Sequence, residues 1–443
     1  MKRIIAFMLT AAILLTVSGC EKHSTSSEPA SASSKPPTSN VASRPVPSDE
    51  SSEKDTSSSA SSSPSHSSTP GEIHTPPSEP NETHSIHEKH FCYSTLTDIQ
   101  KGYYEKLYDA VIAQQASWIV LGPASDNYKN DIAIVRNAVS FDHPDIFWLP
   151  SYYAAATAIS TENEKTAVIY FSNTPDGNPS YLVSRSEAER MAKKLNEAVE
   201  KIAEQITSDD PYEIELQLHD ILCKNTVYTD APNDPMIYTA YGAIVNGKAL
   251  CEGYSRAMQL LLNRMGIDSV VVTGSAGGVG HMWNLVEIHG AWYHLDVSWD
   301  DLGDNIYHGY FNLSDDMILH DHTFSKSIGE ILPEEIAAGN LSFNIFRPIC
   351  NNIHYNYFNK SGYIFFINNI PDLASYIVSQ KGDVTEVRFS DYDLKNKFSA
   401  NPDKFVADIN KSISANFPES KFTVGGVSVS SWVLRLYRKE KGG

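Results

Sequence analysis

Cys251 is the residue of this sequence best placed to act as a nucleophile. It stands at the start of a run that extends to Gly266 and whose apolar residues recur at helical spacing. In the first turn of a helix, exposed N–H groups and the positive end of the dipole favour a thiolate over a thiol. A thiolate can attack a carbonyl carbon and form a thioester. The alternative is a buried core cysteine without chemistry.

A histidine and an aspartate follow in a predicted β-hairpin. His289-Gly290 suits a two-residue turn, which sets the register of the strands on either side. In that register Trp283 faces Asp296, so His281 and Asp296 are diagonal neighbours on one face. A carboxylate in that place orients the imidazole and stabilises its charged form. The alternative is an incidental surface histidine and a strand-end aspartate.

These residues must be positioned by a helix that carries the cysteine and by an antiparallel sheet that carries the histidine and the aspartate. The block resembles the transglutaminase-like superfamily, a papain-like fold whose triad runs Cys, His, Asp in chain order. The resemblance rests on Gly247-Lys-Ala-Leu-Cys251-Glu-Gly-Tyr-Ser-Arg-Ala257, Gly280-His281-Met-Trp-Asn284 and Trp292-Tyr-His-Leu-Asp296-Val-Ser-Trp-Asp300. It is strong over about 212–322, where His219-Asp220 and Tyr228 match the helix that leads into the core. Met282 departs from the pattern, because relatives often carry Ala there.

General cysteine chemistry then suggests a role for each residue. Cys251 attacks a carboxamide or peptide carbonyl, His281 protonates the leaving amine, and Asp296 orients His281. Water would complete a hydrolysis, and an amine would complete a transamidation. The Cys251 backbone N–H would stabilise the oxyanion, and Tyr241 either supplies a second donor or packs in the core. No cofactor and no metal are predicted.

The first twenty residues have the pattern of an export signal. Lys2 and Arg3 precede an apolar stretch over 4–17, which is short for a membrane span and ends in Ser18-Gly19-Cys20. That ending resembles the bacterial lipobox, so residues 1–19 are predicted to be a signal peptide and Cys20 to be lipidated. An ordinary cleaved signal with an incidental cysteine is the alternative.

Residues 20–90 are predicted to be a lipidated cysteine followed by a disordered tether. Residues 21–70 contain 20 Ser and 7 Pro, and no aromatic residue occurs over 21–90. Such a segment buries too little apolar surface to offset the entropy of ordering. His74, His84, His87 and His90 form either a loose metal site or, as we favour, part of a polar linker.

The globular part is predicted to be an α+β protein in three parts: a helical and mixed part over 91–211, a transglutaminase-like core over 212–325 and a small α+β module over 326–443. Helices are predicted over 99–115 and 212–224, with Ser186 as the N-cap of another helix. A strand is predicted over 166–171, and Asp142–Trp148 is interpreted as a proline turn entering an aromatic strand. In the C-terminal module, strands are predicted over 363–367, 384–389, 422–424 and 433–437, and helices near 371–380 and 402–415.

Several smaller features complete the predictions. Asp300, Asp301 and Asp304 are either a calcium site or, as we favour, a solvated acidic turn. Asp315-Asp316 suits a helix N-terminus after Ser314. Cys223 is predicted to lie in the hydrophobic core. A Cys92–Cys350 disulfide is possible. The glycine-rich loop over 274–280 either flexes beside the cleft or only connects strands.

Composition limits the partners. The formal charge of −19 argues against a nucleic-acid binder, and five cysteines exclude a disulfide-dense scaffold. The sequence therefore predicts an extracytoplasmic enzyme, held by a lipid anchor at a bacterial cell membrane, that acts on protein, peptide or cell-wall peptide. A non-catalytic lipoprotein that uses the same fold for recognition is the alternative.

Overall fold

The computed structural model describes residues 8–10, 16–17 and most of the chain over 89–441. Within 89–441 the gaps are 151, 160–162, 173–180, 232, 304, 329, 332–333, 336–341, 361–368, 390–391 and 431. The predicted tether up to residue 88, Cys20 and the predicted strand over 363–367 therefore lie outside the described residues. All the elements below belong to one unit of the chain, residues 1–20 with 70–443.

The described part of the chain contains both helices and strands, as expected for an α+β protein. The helices are α1 (Phe91–Ser94), α2 (Asp98–Ile112), α3 (Tyr128–Asp142), α4 (Arg185–Ala203), α5 (Pro211–Asn225), α6 (Ala240–Ile244), α7 (Cys251–Arg264), α8 (Val297–Asp300), α9 (Asp315–Ile318), α10 (Tyr357–Lys360), α11 (Ile370–Ser379), α12 (Tyr392–Ala400) and α13 (Pro402–Asn416). A 3-10 turn covers Pro235–Tyr238.

The strands of the described residues form three larger sheets and two short pairs. They are β1 (Met8–Thr10), β2 (Thr16–Val17), β3 (Ile119–Pro123), β4 (Tyr152–Ile159), β5 (Lys165–Ser172), β6 (Val227–Tyr228), β7 (Lys248–Ala249), β8 (Ser269–Ala276), β9 (Val279–Ile288), β10 (Ala291–Leu295), β11 (Asp301–Leu302), β12 (Asn305–Ile306), β13 (Phe311–Leu313), β14 (His322–Phe324), β15 (Val384–Arg388), β16 (Phe422–Ser430) and β17 (Val433–Glu440).

The N-terminal part combines helices with a sheet ordered β1-β4-β5-β3, in which β2 also pairs with β4. The strands β1 and β2 lie inside the predicted signal peptide, and cleavage before Cys20 would remove both. The predicted helices near 99 and 212 and the strand near 166 are confirmed. A capping box between Thr97 and Gln100 starts α2.

Two predictions in this part are wrong. The turn at Pro144-Asp145 is present as predicted, but no strand follows it: the chain continues through turns to Trp148, which is buried and whose indole N–H donates to the Val111 carbonyl. The N-cap of α4 is Ser184, whose hydroxyl accepts from the Glu187 N–H, and Ser186 lies inside the helix. The capping signal was ambiguous because both serines have a glutamate three residues later.

The central antiparallel sheet is ordered β13-β10-β9-β8-β14. Its β9–β10 hairpin has the predicted register, from Ala291 opposite Ile288 to Leu295 opposite Asn284. His289 and Gly290 at the turn have φ values of 51° and 84°, as a two-residue hairpin turn requires. The glycine-rich loop proves to be part of β8 and β9 with a turn at Gly277-Gly278, which confirms the strand-connector alternative.

Alternate residues of the central sheet face two different cores. Met282 and Val286 pack in one core with the apolar face of α7 and with the N-terminal part. Trp283 and Leu285 pack in a second core with the C-terminal module, including Trp432. The central sheet is therefore buried on both faces, and the predicted site lies at this sheet, between the two hydrophobic cores.

The C-terminal module packs α11 and α13 beside a sheet ordered β15-β17-β16. The predicted helices near 371–380 and 402–415 and the described predicted strands are confirmed, with β16 extending to Ser430. The sequence did not predict α12. Among the described residues, no helix combines the length and apolar character needed to cross a bilayer.

Candidate active site

Cys251 is the first residue of α7 and is 5% exposed. Its N-cap, Leu250, has no side-chain oxygen, so the N–H groups of the first turn receive no cap from that side chain. Gly253 lets the helix start approach the 3-10 turn, since a Cβ there would lie 2.4 Å from the Ile237 carbonyl oxygen. The helix start can therefore favour negative charge at Cys251 and donate to an oxyanion.

Ser255 joins the cysteine helix to the histidine strand. Its hydroxyl lies 2.8 Å from the Cys251 carbonyl oxygen and 2.9 Å from the Met282 carbonyl oxygen. The side-chain amide of Asn284 donates to the Ser255 carbonyl at 2.9 Å. Ser255 and Asn284 are both buried, so these hydrogen bonds fix α7 against β9 next to His281.

His281 and Asp296 form a buried pair, with His281 Nε2 2.5 Å from Asp296 Oδ2. The predicted pairing of Asp296 with Trp283 is wrong, because β10 ends at Leu295. Asp296 leaves the ladder and becomes the N-cap of α8, with Oδ1 accepting from the Trp299 N–H at 3.2 Å. The predicted proximity of the two side chains is nevertheless observed.

The Asp296 carboxylate is held ionised by its surroundings. Burial alone would raise the pKa of Asp296, but attraction and hydrogen bonds from His281 and His322 bring it below the usual range. Ser298 donates to Oδ1 at 2.7 Å. A carboxylate that stays negative at neutral pH can orient His281 and stabilise its imidazolium.

Sequence reasoning missed His322, which lies in β14 at the far edge of the sheet from β10. Its Nε2 lies 3.1 Å from Asp296 Oδ2, the same oxygen that contacts His281. The two histidine rings lie 5.4 Å apart between centroids. No spacing rule connects position 322 to position 296, because β14 joins the sheet through β8 rather than through β9 or β10.

Tyr241 packs against Phe147, with ring centroids 5.2 Å apart, and is buried in the core. Burial raises the pKa of its hydroxyl, and Arg190 is the nearby charge that opposes this shift. These contacts favour the packing alternative, and an oxyanion role for Tyr241 stays a prediction.

Aromatic rings surround His281. Its ring lies 5.9 Å from the rings of Trp283 and Trp299. Trp299 in turn lies near Gly277, whose added Cβ would come within 3.8 Å of the indole. The imidazole therefore sits in a desolvated environment that strengthens its pairing with Asp296.

The acidic stretch at the end of α8 is not a solvated turn, so that prediction is wrong for its described residues. Asp300 and Asp301 are buried. Asp300 accepts from the Tyr310 N–H and lies 3.5 Å from His219 Nε2, and Asp301 accepts from the Tyr254 hydroxyl at 2.5 Å. Both carboxylates therefore serve as internal hydrogen-bond acceptors. Asp304 lies outside the described residues.

The remaining predictions concern single residues. The prediction of a Cys92–Cys350 disulfide is wrong, because both cysteines are buried with free thiols. The backbone N–H of Cys92 donates to Asp142, and the backbone N–H of Cys350 donates to Asp315. Cys223 is confirmed as a core residue. Ser314 caps α9 as predicted, with its hydroxyl accepting from the Met317 N–H.

In the part of the chain that the structure describes, two groups of side chains outside the triad have donor atoms close enough to suit a metal. They are His219, Asp220 and His308, and His294, Asp315 and Cys350. In the first group both histidines hydrogen-bond Asp220, at 3.0 and 2.9 Å. In the second, His294 accepts from the Trp283 N–H and lies 2.7 Å from Asp315. Hydrogen bonds between protein groups account for both arrangements, and we assign no metal to either.

Among the histidines of the predicted linker, His90 is described by the structure, and its ring packs against that of His143.

A cysteine at a helix N-terminus is linked through Ser255 to the strand of a buried histidine that pairs with an aspartate, and this arrangement is of the papain-like kind. Residues 200–297 match the family model of the transglutaminase-like superfamily. The chain therefore carries a transglutaminase-like domain, as the sequence resemblance predicted. No curated protein matches the sequence.

Several solved structures resemble the chain, including the three that follow. The first is described as a TGase, with 15% identity, a TM-score of 0.25 and coverage of 42% of this chain and 50% of that one. The second is a proposed cysteine protease from Cytophaga hutchinsonii, with 15% identity, a TM-score of 0.21 and coverage of 30% and 52%. The third is a proposed protease from Parabacteroides distasonis, with 14% identity, a TM-score of 0.19 and coverage of 32% and 35%. The chain thus spans about half of these structures or less, and likenesses this distant say nothing about its activity.

Proposed function

We propose that the protein is a cysteine enzyme that acts on amide bonds of a protein, a peptide or a cell-wall peptide. The observation that carries this proposal is the buried contact of 2.5 Å between His281 Nε2 and Asp296 Oδ2, on the strand that Ser255 ties to the helix of Cys251. A helix-start thiol and an imidazole that is held by a buried carboxylate suit acyl transfer, because the thiolate supplies a nucleophile and the imidazolium supplies a proton donor.

In the first step the Cys251 thiolate attacks the carbonyl carbon, and a C–S bond forms as the carbonyl oxygen becomes an oxyanion. The N–H groups at the start of α7 stabilise that charge. When the tetrahedral intermediate collapses, the C–N bond breaks and the leaving amine takes a proton from His281. The products of this step are a Cys251 thioester, a free amine and a neutral imidazole.

In the second step neutral His281 accepts a proton from the incoming nucleophile. Water then yields a carboxylic acid, and an amine yields a new amide; both routes release the thiolate and restore the imidazolium. The protein is thus an amidase or peptidase in the first case and a transamidase in the second. The alternative is a recognition module that keeps the fold without turnover.

The test is incubation of the full-length protein with a peptide library, with and without an added primary amine, followed by mass spectrometry. We expect hydrolysed or amine-linked products from the wild type and none from Cys251→Ala. Ser255→Ala, which leaves the thiol in place, serves as a partial-activity control. Absence of turnover by the wild type, together with Cys251 alkylation no faster than that of glutathione, would reject the enzyme and favour the recognition module.

We propose further that Cys20 is lipidated and anchors the protein outside the cytoplasm. The support is the sequence Val17-Ser18-Gly19-Cys20 after a basic and apolar start. Attached acyl chains would hold a soluble domain at a bilayer. Detergent phase partitioning of bacterially expressed protein tests this: the wild type should enter the detergent phase, and Cys20→Ser should stay in the aqueous phase. Equal partitioning of the two would reject the anchor.

A further inference from the structure

His322 lies in the protein interior, next to the Asp296 carboxylate of the predicted triad. Its side chain is fully buried, and its ring lies 5.1 Å from Trp283 and 4.8 Å from Trp299 between centroids. Its Nε2 lies 3.1 Å from Asp296 Oδ2, and its Nδ1 lies 2.7 Å from Asp321 Oδ1. Both ring nitrogens therefore meet a carboxylate oxygen.

This geometry determines the protonation state of His322. Ionised carboxylates only accept hydrogen bonds, so both ring nitrogens must donate, and only an imidazolium carries two N–H groups. Burial disfavours a charged ring, but the hydrogen bonds to Asp296 and Asp321 outweigh it and raise the pKa of His322 to about 9.

Asp321 holds His322 from the other side and links it to the C-terminal module. Its Oδ2 accepts from the Tyr310 hydroxyl at 2.6 Å and from the Trp432 indole N–H at 2.7 Å. Its backbone carbonyl accepts from the Gly277 N–H at 3.3 Å. A continuous hydrogen-bonded chain thus runs from His281 through Asp296, His322 and Asp321 to Trp432, outside the domain that carries the triad.

We propose that His322 is a positioning residue, an imidazolium that clamps the Asp296 carboxylate against His281. The proposal rests on the proposed function and deepens it. With His322 in place, Asp296 is kept ionised and unable to rotate, so the imidazole of His281 keeps one orientation. The C-terminal module contributes through Trp432 and Asp321, which hold His322.

The test follows the alkylation rate of Cys251 by iodoacetamide over pH 5–10, with peptide-resolved mass spectrometry of the full chain. His322→Gln removes the ring charge but retains an amide donor. His294→Gln is the matched control, because His294 is equally buried in the same sheet and hydrogen-bonds Asp315 instead of Asp296. We expect His322→Gln to slow alkylation at pH 7 about tenfold and to move its midpoint toward the free-thiol value of about 8.5. His294→Gln should keep the wild-type midpoint.

The outcomes separate the two proposals. If wild-type Cys251 reacts faster than glutathione and the two variants have the same rate and midpoint, the role of His322 is overturned while the enzyme proposal stands. If wild-type Cys251 reacts no faster than glutathione and the wild type also shows no turnover, the enzyme proposal itself fails.

A measurement on the unaltered protein covers the case in which His322→Gln does not fold. Nitrogen-15 spectra of the imidazole rings at pH 7 should show His322 with both nitrogens protonated, while His294, which accepts from Trp283, should show one protonated nitrogen. A His322 ring with a single N–H would overturn the clamp.

Discussion

Replacing Asp296 with asparagine tests the electrostatic design of the site most directly. Four donors converge on this carboxylate: Nε2 of His281 and of His322 at Oδ2, and the Ser298 hydroxyl and the Trp299 N–H at Oδ1. Asparagine keeps the shape but has one acceptor oxygen and one NH2 group. In either orientation of the amide, its NH2 faces two groups that themselves donate.

The cost of Asp296→Asn follows from these contacts. One buried donor left unpaired costs about 1–3 kcal/mol, and breaking a buried charge pair costs about 3–5 kcal/mol. Asp321 still neutralises His322, and the Ser298 hydroxyl can rotate, so we expect a loss of about 3 kcal/mol in the free energy of unfolding. Because the folded-state pKa of Asp296 is depressed, this stability is present above the unfolded pKa of about 4 and disappears as acid protonates the folded carboxylate.

Urea unfolding at pH 7 measures the loss, and the Cys251 alkylation rate measures the effect on the site. Asp315→Asn is the matched control: Asp315 pairs with His294 but is partly exposed, so we expect a loss of about 1 kcal/mol and unchanged alkylation. If Asp296→Asn unfolds at the same urea concentration as the wild type and alkylation is unaffected, the convergence of donors on Asp296 does not organise the site, and our reasoning is refuted.

Three further predictions rest on separate observations. Gly274→Ala should destabilise the protein by about 2–3 kcal/mol in urea, because an added Cβ would lie 1.9 Å from the Thr323 carbonyl oxygen; an unchanged midpoint would contradict this packing. Burial raises the pKa of Glu215 to about 8, so the folded protein holds a proton on this carboxyl group in acid. The stability that this proton gives to the folded state is lost as the pH rises through 8. The free energy of unfolding of Glu215→Gln, relative to that of the wild type, should therefore increase between pH 5 and pH 9 by up to roughly 4 kcal/mol. Parallel curves of unfolding free energy against pH for the two proteins would refute this. Ser255→Ala should slow Cys251 alkylation severalfold while costing about 1 kcal/mol of stability, and an unchanged alkylation rate would show that the hydroxyl does not align the helix with the strand.

Local patterns predicted the elements of the site well. The apolar spacing after Cys251 predicted α7, and the His289-Gly290 turn predicted the register of β9 and β10. Both signals come from residues close in sequence, where backbone geometry leaves few alternatives. The same reasoning failed at Asp296, because a hairpin register cannot show where a strand stops and a helix cap begins.

The triad residues, the hairpin and the family resemblance were thus available from the sequence alone, since each depends on spacing within about fifty residues. The tertiary structure decided what lies behind the triad. His322 lies on an edge strand, Asp321 directly precedes that strand, and Trp432 belongs to the C-terminal module. They connect to Asp296 in sequence, Trp432 through Asp321 and Asp321 through His322, only because the sheet is buried on both faces. The burial of Asp300 and Asp301 has the same origin. From the sequence alone, a charged side chain is expected to be exposed to solvent. Only the packed fold supplies the hydrogen-bonding partners that allow such a side chain to be buried.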